Sequence, residues 1–352
     1  MQAARVAAGG SLELHRTQLP EPGPGEVRVR VGACGICGTD LHLLEAGLLP
    51  PGRTPGHEFS GMVEALGPGV QGLPEGTAVA VEPFRSCGQC PACQRGFDPL
   101  CHEARLFGVH AEGGLAEAVC VPAERCFRPA EPLAPEVLAL SEPLAVAVHG
   151  LRRAGLEAGE RVLVLGAGSV GWLSVFAARA LGAGEVWVSA RHATQAEAVR
   201  EAGADRVLAE SEADAASLHR LARRQPFDRV VETVGGRADT LGPAAAAVRP
   251  GGSVAVLGMF LGRVQIDPMP LLRKEVGLLW SYCYHHPRGA DARRPDFADA
   301  LALLEREPER AARLITHRLP LARVAQAFAL ARARGAGALK VSVRPEPRSG
   351  TL

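Results

Sequence analysis

The chain changes texture twice. Between Val27 and Val81 the apolar residues come in short runs broken by glycine and proline, as in E-V-R-V-R-V, G-M-V-E-A-L and A-V-A-V. Such runs, punctuated by turn residues, predict an antiparallel β domain. From about Glu160 the pattern lengthens. R-V-L-V-L-G-A-G-S-V-G-W-L-S-V-F-A-A-R-A-L-G-A reads as a buried strand, a glycine turn and an apolar helix, with V-W-V-S-A as the next strand. Two further buried-strand runs, each behind a helical stretch, lie in R-V-V-E-T-V-G-G (229–236) and S-V-A-V-L-G-M (253–259). Strands alternating with helices predict a doubly wound parallel sheet. Past Gly289 a polar stretch leads to the helix D-F-A-D-A-L-A-L-L-E-R and a last strand, A-L-K-V-S-V. The expected class is α/β: a β-rich domain over 1–148, a parallel-sheet domain over 149–288, and a segment, 289–352, that returns to the first.

Composition narrows the function. The 352 residues, 47% of them hydrophobic, suffice for two cores. With 39 basic against 38 acidic residues and a net charge of +1, no global field draws nucleic acid or an anionic membrane. Small-molecule chemistry is what remains. The start, M-Q-A-A-R-V-A-A-G-G, lacks a signal peptide's apolar run, and no apolar stretch approaches the roughly 20 residues that span a bilayer. A cytoplasmic location is expected.

Nine cysteines in such a chain are poor candidates for disulfides. Four of them, Cys87, Cys90, Cys93 and Cys101, lie in C-G-Q-C-P-A-C-Q-R-G-F-D-P-L-C, within a lobe spanning 84–103. A loop of that length folds four thiolates around one tetrahedral zinc, each about 2.3 Å away, and leaves no position open; the site is structural. Cys120, Cys126 and Cys283 stand alone in apolar segments and are expected as buried small hydrophobes.

The glycine turn carries a second function. Gly166 permits a tight turn, Gly168 lets the backbone approach a pyrophosphate, and Gly171 allows close helix packing; Ser169 and Val170 open the helix whose N-terminus attracts the phosphates. Strand ends that follow, Thr233 and Val234, then Leu257, Gly258 and Met259, then Ser281 and Tyr282, are expected around the same dinucleotide. The strand after the turn ordinarily ends in an acid for the adenosine ribose, but here Ala190, Arg191 and His192 occupy that place.

A second metal set is dispersed. C-G-I-C-G-T-D-L-H (34–42), G-H-E (56–58) and S-E-P-L-A-V-A-V-H-G (141–150) supply a thiol, an imidazole and two carboxylates. Alone, His57 reads as a hydrogen-bonded loop histidine and Glu142 as a helix-start carboxylate. Together with the glycine turn and the cysteine lobe, they make the chain resemble the zinc-dependent medium-chain dehydrogenases, and among these the sorbitol and polyol dehydrogenases. T-H-R-L-P-L and A-L-K-V near the end extend the resemblance over nearly the whole chain.

The resemblance implies a GroES-like catalytic domain beside a Rossmann domain, and two zinc ions per subunit. Cys37, His57 and Glu142 would ligate the catalytic zinc, with Glu58 beside them in reserve. Three protein ligands leave a place where an alcohol's hydroxyl loses its proton readily before hydride passes to the nicotinamide. Thr39 resembles the family's hydroxyl relay; His42 either passes the proton outward or is a surface residue. Asp40 is placed to orient a zinc-bound imidazole, Cys34 is packing, and Lys340 joins the cofactor contacts. Ala190 falls at the position of the family's ribose-binding aspartate. Its loss, with Arg191 supplying a planar donor and His192 or Gln195 a further contact, implies NADP rather than NAD; the alternative is a solvated arginine beside an incidental alanine.

Two departures bear on substrate and assembly. Ser281 replaces the arginine that polyol dehydrogenases set beside the tyrosine, and H-H-P-R-G-A-D-A-R-R-P (285–295) is an insertion, either a solvated excursion or a part of the substrate mouth or subunit interface. The implied reaction is oxidation of a secondary alcohol to a ketone or its reverse, on a polyol, sugar alcohol or related compound. Threonine and aminocyclitol dehydrogenases share the motifs, and a non-catalytic zinc- and nucleotide-binding protein is the remaining alternative. V-G-L-L-W-S-Y-C-Y (276–284) is placed like an edge strand that pairs across a two-fold axis, which implies a homodimer or homotetramer; an interior strand is the other reading.

Overall fold

The strand Glu26–Gly35 buries Val27, Val29, Val31 and Ala33 and leaves Arg28 and Arg30 half-buried on its other face, the period-two pattern of an antiparallel strand with one face on a core. In the computed structural model, which describes residues 1–287, 294–333 and 337–346, this strand lies inside a seven-stranded sheet. The order is Ile315–Pro320, Lys340–Arg344, Glu26–Gly35, Glu58–Leu66, Ala78–Val81 and Cys126–Phe127, with Ala118–Pro122 also pairing on Glu26–Gly35. Its pairs are antiparallel except the first, where the strand of T-H-R-L-P runs parallel to the strand of A-L-K-V. The sheet belongs to a unit made of residues 1–142 and the described residues from His285 onward.

Register at one end of this sheet joins three distant segments. Gly35 pairs with Glu58 on one side and with Ser342 on the other, and the Ile36 N–H donates to the Val341 carbonyl. Leaving that end, the chain enters the helix Gly38–Glu45.

The cysteine lobe hangs from a short hairpin, Phe84–Arg85 with Arg105–Leu106. At its base the Arg125 guanidinium is buried and pairs with Glu82 at 3.0 Å and Asp98 at 3.3 Å, so that each buried charge has a partner. The expected insertion begins against this lobe. The His285 ring lies 4.5 Å from Phe97, and the His286 N–H donates to the Gly96 carbonyl at 2.8 Å. These first residues pack on the lobe; positions 288–293 lie outside the described residues.

The second unit is Pro143–Tyr284. Six parallel strands run in the order Arg206–Ala209, Glu185–Ala190, Arg161–Leu165, Phe227–Glu232, Val248–Val256 and Gly277–Trp280. Numbered along the chain this is 3-2-1-4-5-6, the doubly wound order, and its switch point falls between Arg161–Leu165 and Phe227–Glu232. Val162 to Leu165 are all buried, as a strand covered on both faces requires. Gly277–Trp280 is an edge and not an interior strand, with Trp280 48% exposed.

Cysteine burial corrects one expectation. Cys34 is fully buried in the core, but Cys120, Cys126 and Cys283 are half-buried. Cys120 alternates outward between buried Val119 and Val121, Cys126 opens a two-residue strand at the sheet's edge, and Cys283 follows the other edge strand with φ 55°.

Candidate active site

Cys37 caps the helix Gly38–Glu45, its Sγ accepting from the Thr39 N–H at 3.5 Å. Asp40, three residues on and buried, accepts the Cys37 N–H at 3.0 Å and closes a capping box. Its other oxygen stands 3.4 Å from Nδ1 of His57. One carboxylate in C-G-T-D thus positions the thiol of its own helix and an imidazole from another segment. His57 enters through Gly56, whose φ is 96° and where a Cβ would come within 2.6 Å of Cys34 Sγ. Glu58 then lies over Gly35, where a Cβ would meet the carboxylate at 2.3 Å.

These constraints bring ligand atoms of Cys37, His57 and Glu58 within 4.8 Å of one another. Glu142, second residue of the helix Ser141–Arg153, is buried nearby but lies outside this compact group, because strand pairing carries Glu58 to the sheet end beside Cys37. Burial pushes the Glu142 carboxyl up to about 7. Thr39 and His42 are both half-buried on the helix that Cys37 caps, in its first and last turns.

Lys340 has partners in this group too. Expected among the cofactor contacts, it is buried with Nζ 2.7 and 2.6 Å from the two oxygens of Glu58 and 3.3 Å from the Ile36 carbonyl. The pairing of its strand with Glu26–Gly35 delivers it to that sheet end, and an unpaired carboxylate there would be costly. Burial works against the charge on Lys340, but Glu58 and Cys37 outweigh it and raise its pKa. Burial likewise opposes charge on His57, and Asp40 and Cys37 reverse the balance, raising it well above the usual histidine value. The pocket therefore favours positive charge, and its thiol, imidazole and carboxylate donors are the mixture zinc takes.

The cysteine lobe passes a stricter test. The Sγ atoms of Cys87 and Cys93 are 3.9 Å apart, those of Cys90 and Cys93 3.6 Å, and those of Cys101 and Cys87 3.5 Å. Tetrahedral ligands about 2.3 Å from zinc stand about 3.8 Å from each other, whereas a disulfide needs about 2.05 Å. Backbone N–H groups of Cys90 and Glu103 point at Cys87 and Cys101 sulfurs, at 3.4 and 3.3 Å. The Cys93 N–H and its neighbours bring the Cys90 thiol down to about 7, while burial pushes Cys93 up to about 12.

In the second unit the three turn glycines meet three different demands. Gly166 has φ 105°, and a Cβ there would strike Val234 and Thr233 at 2.7 and 2.8 Å. At Gly168 a Cβ would find nothing within 4 Å, so this side of the backbone is open to a ligand. At Gly171 it would meet the Gly166 carbonyl at 2.0 Å. Gly168 begins the twelve-residue helix Ser169–Ala180 with no side-chain cap, which suits a pyrophosphate at its N-terminus. Thr233 donates its hydroxyl to the Leu165 carbonyl at 2.9 Å and so braces the turn. Val234 and Met259 are exposed, Leu257 and Gly258 half-buried, and Tyr282 is 55% exposed past the edge strand, behind half-buried Ser281.

Ala190 ends its strand buried, and Arg191, His192 and Gln195 follow, His192 as the N-cap of the helix Ala193–Ala202. Arg191 is exposed and pairs with Glu210, an acid that sequence reasoning passed over because its proximity depends on strand order.

Known proteins match both halves. The alcohol dehydrogenase GroES-like domain matches residues 23–131, and the zinc-binding dehydrogenase family matches 169–306. D-altritol 5-dehydrogenase of Agrobacterium fabrum is 31% identical over 93% of this chain and 95% of its own. The chain belongs to the zinc-dependent medium-chain alcohol dehydrogenases. L-threonine 3-dehydrogenase of Pyrococcus horikoshii is 37% identical over 75% of this chain and 77% of that one. A solved structure described as a zinc-binding dehydrogenase, from Sinorhizobium meliloti and bound to NADP, superposes with a TM-score of 0.86 at 34% identity, covering 98% of this chain and 99% of that one. As a member of this family the protein is an NAD(P)-dependent oxidoreductase acting on a small alcohol. Among the described residues no helix is long and apolar enough to cross a membrane.

Proposed function

We propose that this dehydrogenase oxidises a secondary alcohol of the polyol or sugar-alcohol class, or a related compound, to its ketone with NADP as hydride acceptor. The observation that carries the reading is the cluster of Cys37, His57 and Glu58 in a chain that also holds the glycine turn and its Ala190–Arg191 ending. Cys37 and His57, together with Glu142 or Glu58, would hold a catalytic zinc, and the four lobe cysteines would hold a second one. When bound, the catalytic ion polarises the substrate hydroxyl and lowers its pKa. Asp40, against Nδ1, keeps the His57 ring turned so that its other nitrogen faces the metal. The Thr39 hydroxyl accepts the substrate proton as it gives its own toward His42, which passes it outward. Lys340 steadies Glu58. Backbone N–H groups behind Gly168 hold the pyrophosphate, and Arg191 meets the 2′-phosphate. Nine free thiols suit a reducing compartment, and we place the protein in the cytoplasm.

The relative named L-threonine 3-dehydrogenase supports a second substrate class, an amino alcohol, with the same zinc chemistry. Ser281 favours it too, since the polyol-binding arginine is missing there. An activity screen across polyols, amino alcohols, cyclitols and simple secondary alcohols separates the two.

Cofactor choice tests the NADP assignment. Arg191→Ala is expected to raise the Michaelis constant for NADP about tenfold with little effect on NAD, the low end for a charge-assisted contact because the side chain is 67% exposed. Higher kcat/KM with NAD in the unmodified protein would reject the assignment.

Assembly is a separate reading. The edge strand Gly277–Trp280 has no partner on its outer side among the described residues and carries exposed Trp280, with Tyr282 beyond it. A homodimer or homotetramer formed through this edge is expected. Light scattering that finds a monomer at micromolar concentration removes it.

A further inference from the structure

The side chain assigned to a 2′-phosphate already has a partner. Arg191 donates to Oε1 of Glu210 through Nε at 2.9 Å and Nη2 at 2.5 Å. Backbone geometry brings them together. Glu185–Ala190 and Arg206–Ala209 run parallel with Ala190 opposite Ala209, so the next residues in that register, Arg191 and Glu210, leave the same sheet end about 4.8 Å apart and on the same face. Glu210 also opens a one-turn helix, Glu210–Glu212, whose Glu212 carboxylate accepts the Ala209 N–H at 2.8 Å and holds the backbone there.

The two side chains are 67% and 63% exposed, so their pairing contributes little to stability. Its consequence falls on whatever approaches Arg191. A 2′-phosphate carries close to two negative charges and must take the guanidinium from Glu210 while that carboxylate remains nearby. A free ribose 2′-hydroxyl can instead donate to the carboxylate.

We propose that Glu210 is a cofactor-specificity residue: it occupies and repels at the 2′-phosphate site, and it supplies from the neighbouring strand the ribose acceptor that Ala190 lacks. The proposal rests on the reading of this site as the adenosine end of a nicotinamide dinucleotide. It makes the preference for NADP a balance between Arg191 and Glu210, weaker than the arginine alone would give.

The test is direct titration of the zinc-loaded enzyme with NADPH and with NADH, read by reduced-cofactor fluorescence, for the wild type, Glu210→Gln, Arg191→Ala and the double variant. Glu210→Gln is expected to tighten NADPH by more than about tenfold, because repulsion between a carboxylate and a phosphate about 5 Å apart in water is about that size and Arg191 is released as well, and to weaken NADH. In the Arg191→Ala background the same change is expected to tighten NADPH less, because only the repulsion is then relieved. Glu210→Gln moving both constants equally, or neither by twofold, overturns the proposal. The two readings fail separately. Wild-type preference for NADH rejects the NADP assignment, yet a tenfold swing toward NADPH in Glu210→Gln still upholds Glu210. NADPH preference that Glu210→Gln leaves unmoved keeps the assignment and rejects Glu210.

Discussion

Replacing Cys37 with alanine is expected to lower kcat/KM by more than about a thousandfold while the protein stays folded. A metal that polarises the reacting oxygen lowers the barrier by several kcal/mol, and about 4 kcal/mol is a factor of a thousand. The structural cost is much smaller. The Cys37 thiol is half-buried and accepts a long hydrogen bond from the Thr39 N–H at 3.5 Å, and losing a helix cap costs about 1 kcal/mol. Asp40 keeps its bond to the Cys37 backbone in the variant, so the helix start survives. Metal analysis should read two zinc ions per chain in the wild type and one in Cys37→Ala, with circular dichroism unchanged. Retention of both ions, or activity within tenfold of wild type, would show that Cys37 holds no catalytic metal.

Cys93→Ala is expected to have the opposite signature, a large loss of stability with chemistry preserved in whatever remains folded. Cys93 is fully buried among the lobe sulfurs. Among the described residues, Ala92 and Ala104 are the apolar side chains besides cysteine that pack on these thiols, so there is little apolar surface to hold the lobe without metal. Structural zinc supplies about 10–16 kcal/mol of binding free energy in small domains, and a share of that is folding free energy here. Loss of about 5 kcal/mol in a chain of this size lowers the thermal midpoint by about 7 °C. The first event should be opening of the lobe, visible as new protease cleavage at Arg95 or Arg105. A chelator that strips the wild type should reproduce it. A midpoint within 2 °C of wild type, with two zinc ions still bound, would remove the structural role of the lobe, a shift about three times smaller than the one expected.

The contrast between these sites shows what kinds of information a sequence carries. Local spacing alone determined the cysteine lobe, because four ligands within one short loop meet whatever the rest of the chain does. The glycine turn was equally legible, since its three demands, positive φ at Gly166, open space at Gly168 and contact at Gly171, all arise within six residues. Period-two and buried-run patterns likewise determined the two sheets and the helix Asp296–Arg306. Strand order and register were not legible, because hydrogen-bonded neighbours in a sheet are distant in the chain and any apolar strand can pair with any other. Only the tertiary structure therefore decided that Lys340, more than 280 positions from Glu58, would neutralise it, that Glu58 and not Glu142 would join Cys37 and His57 in the compact group, and that Glu210 would stand against Arg191. The same reason covers Cys120, Cys126 and Cys283, whose apolar surroundings in sequence said nothing of which sheet edge or face each would occupy.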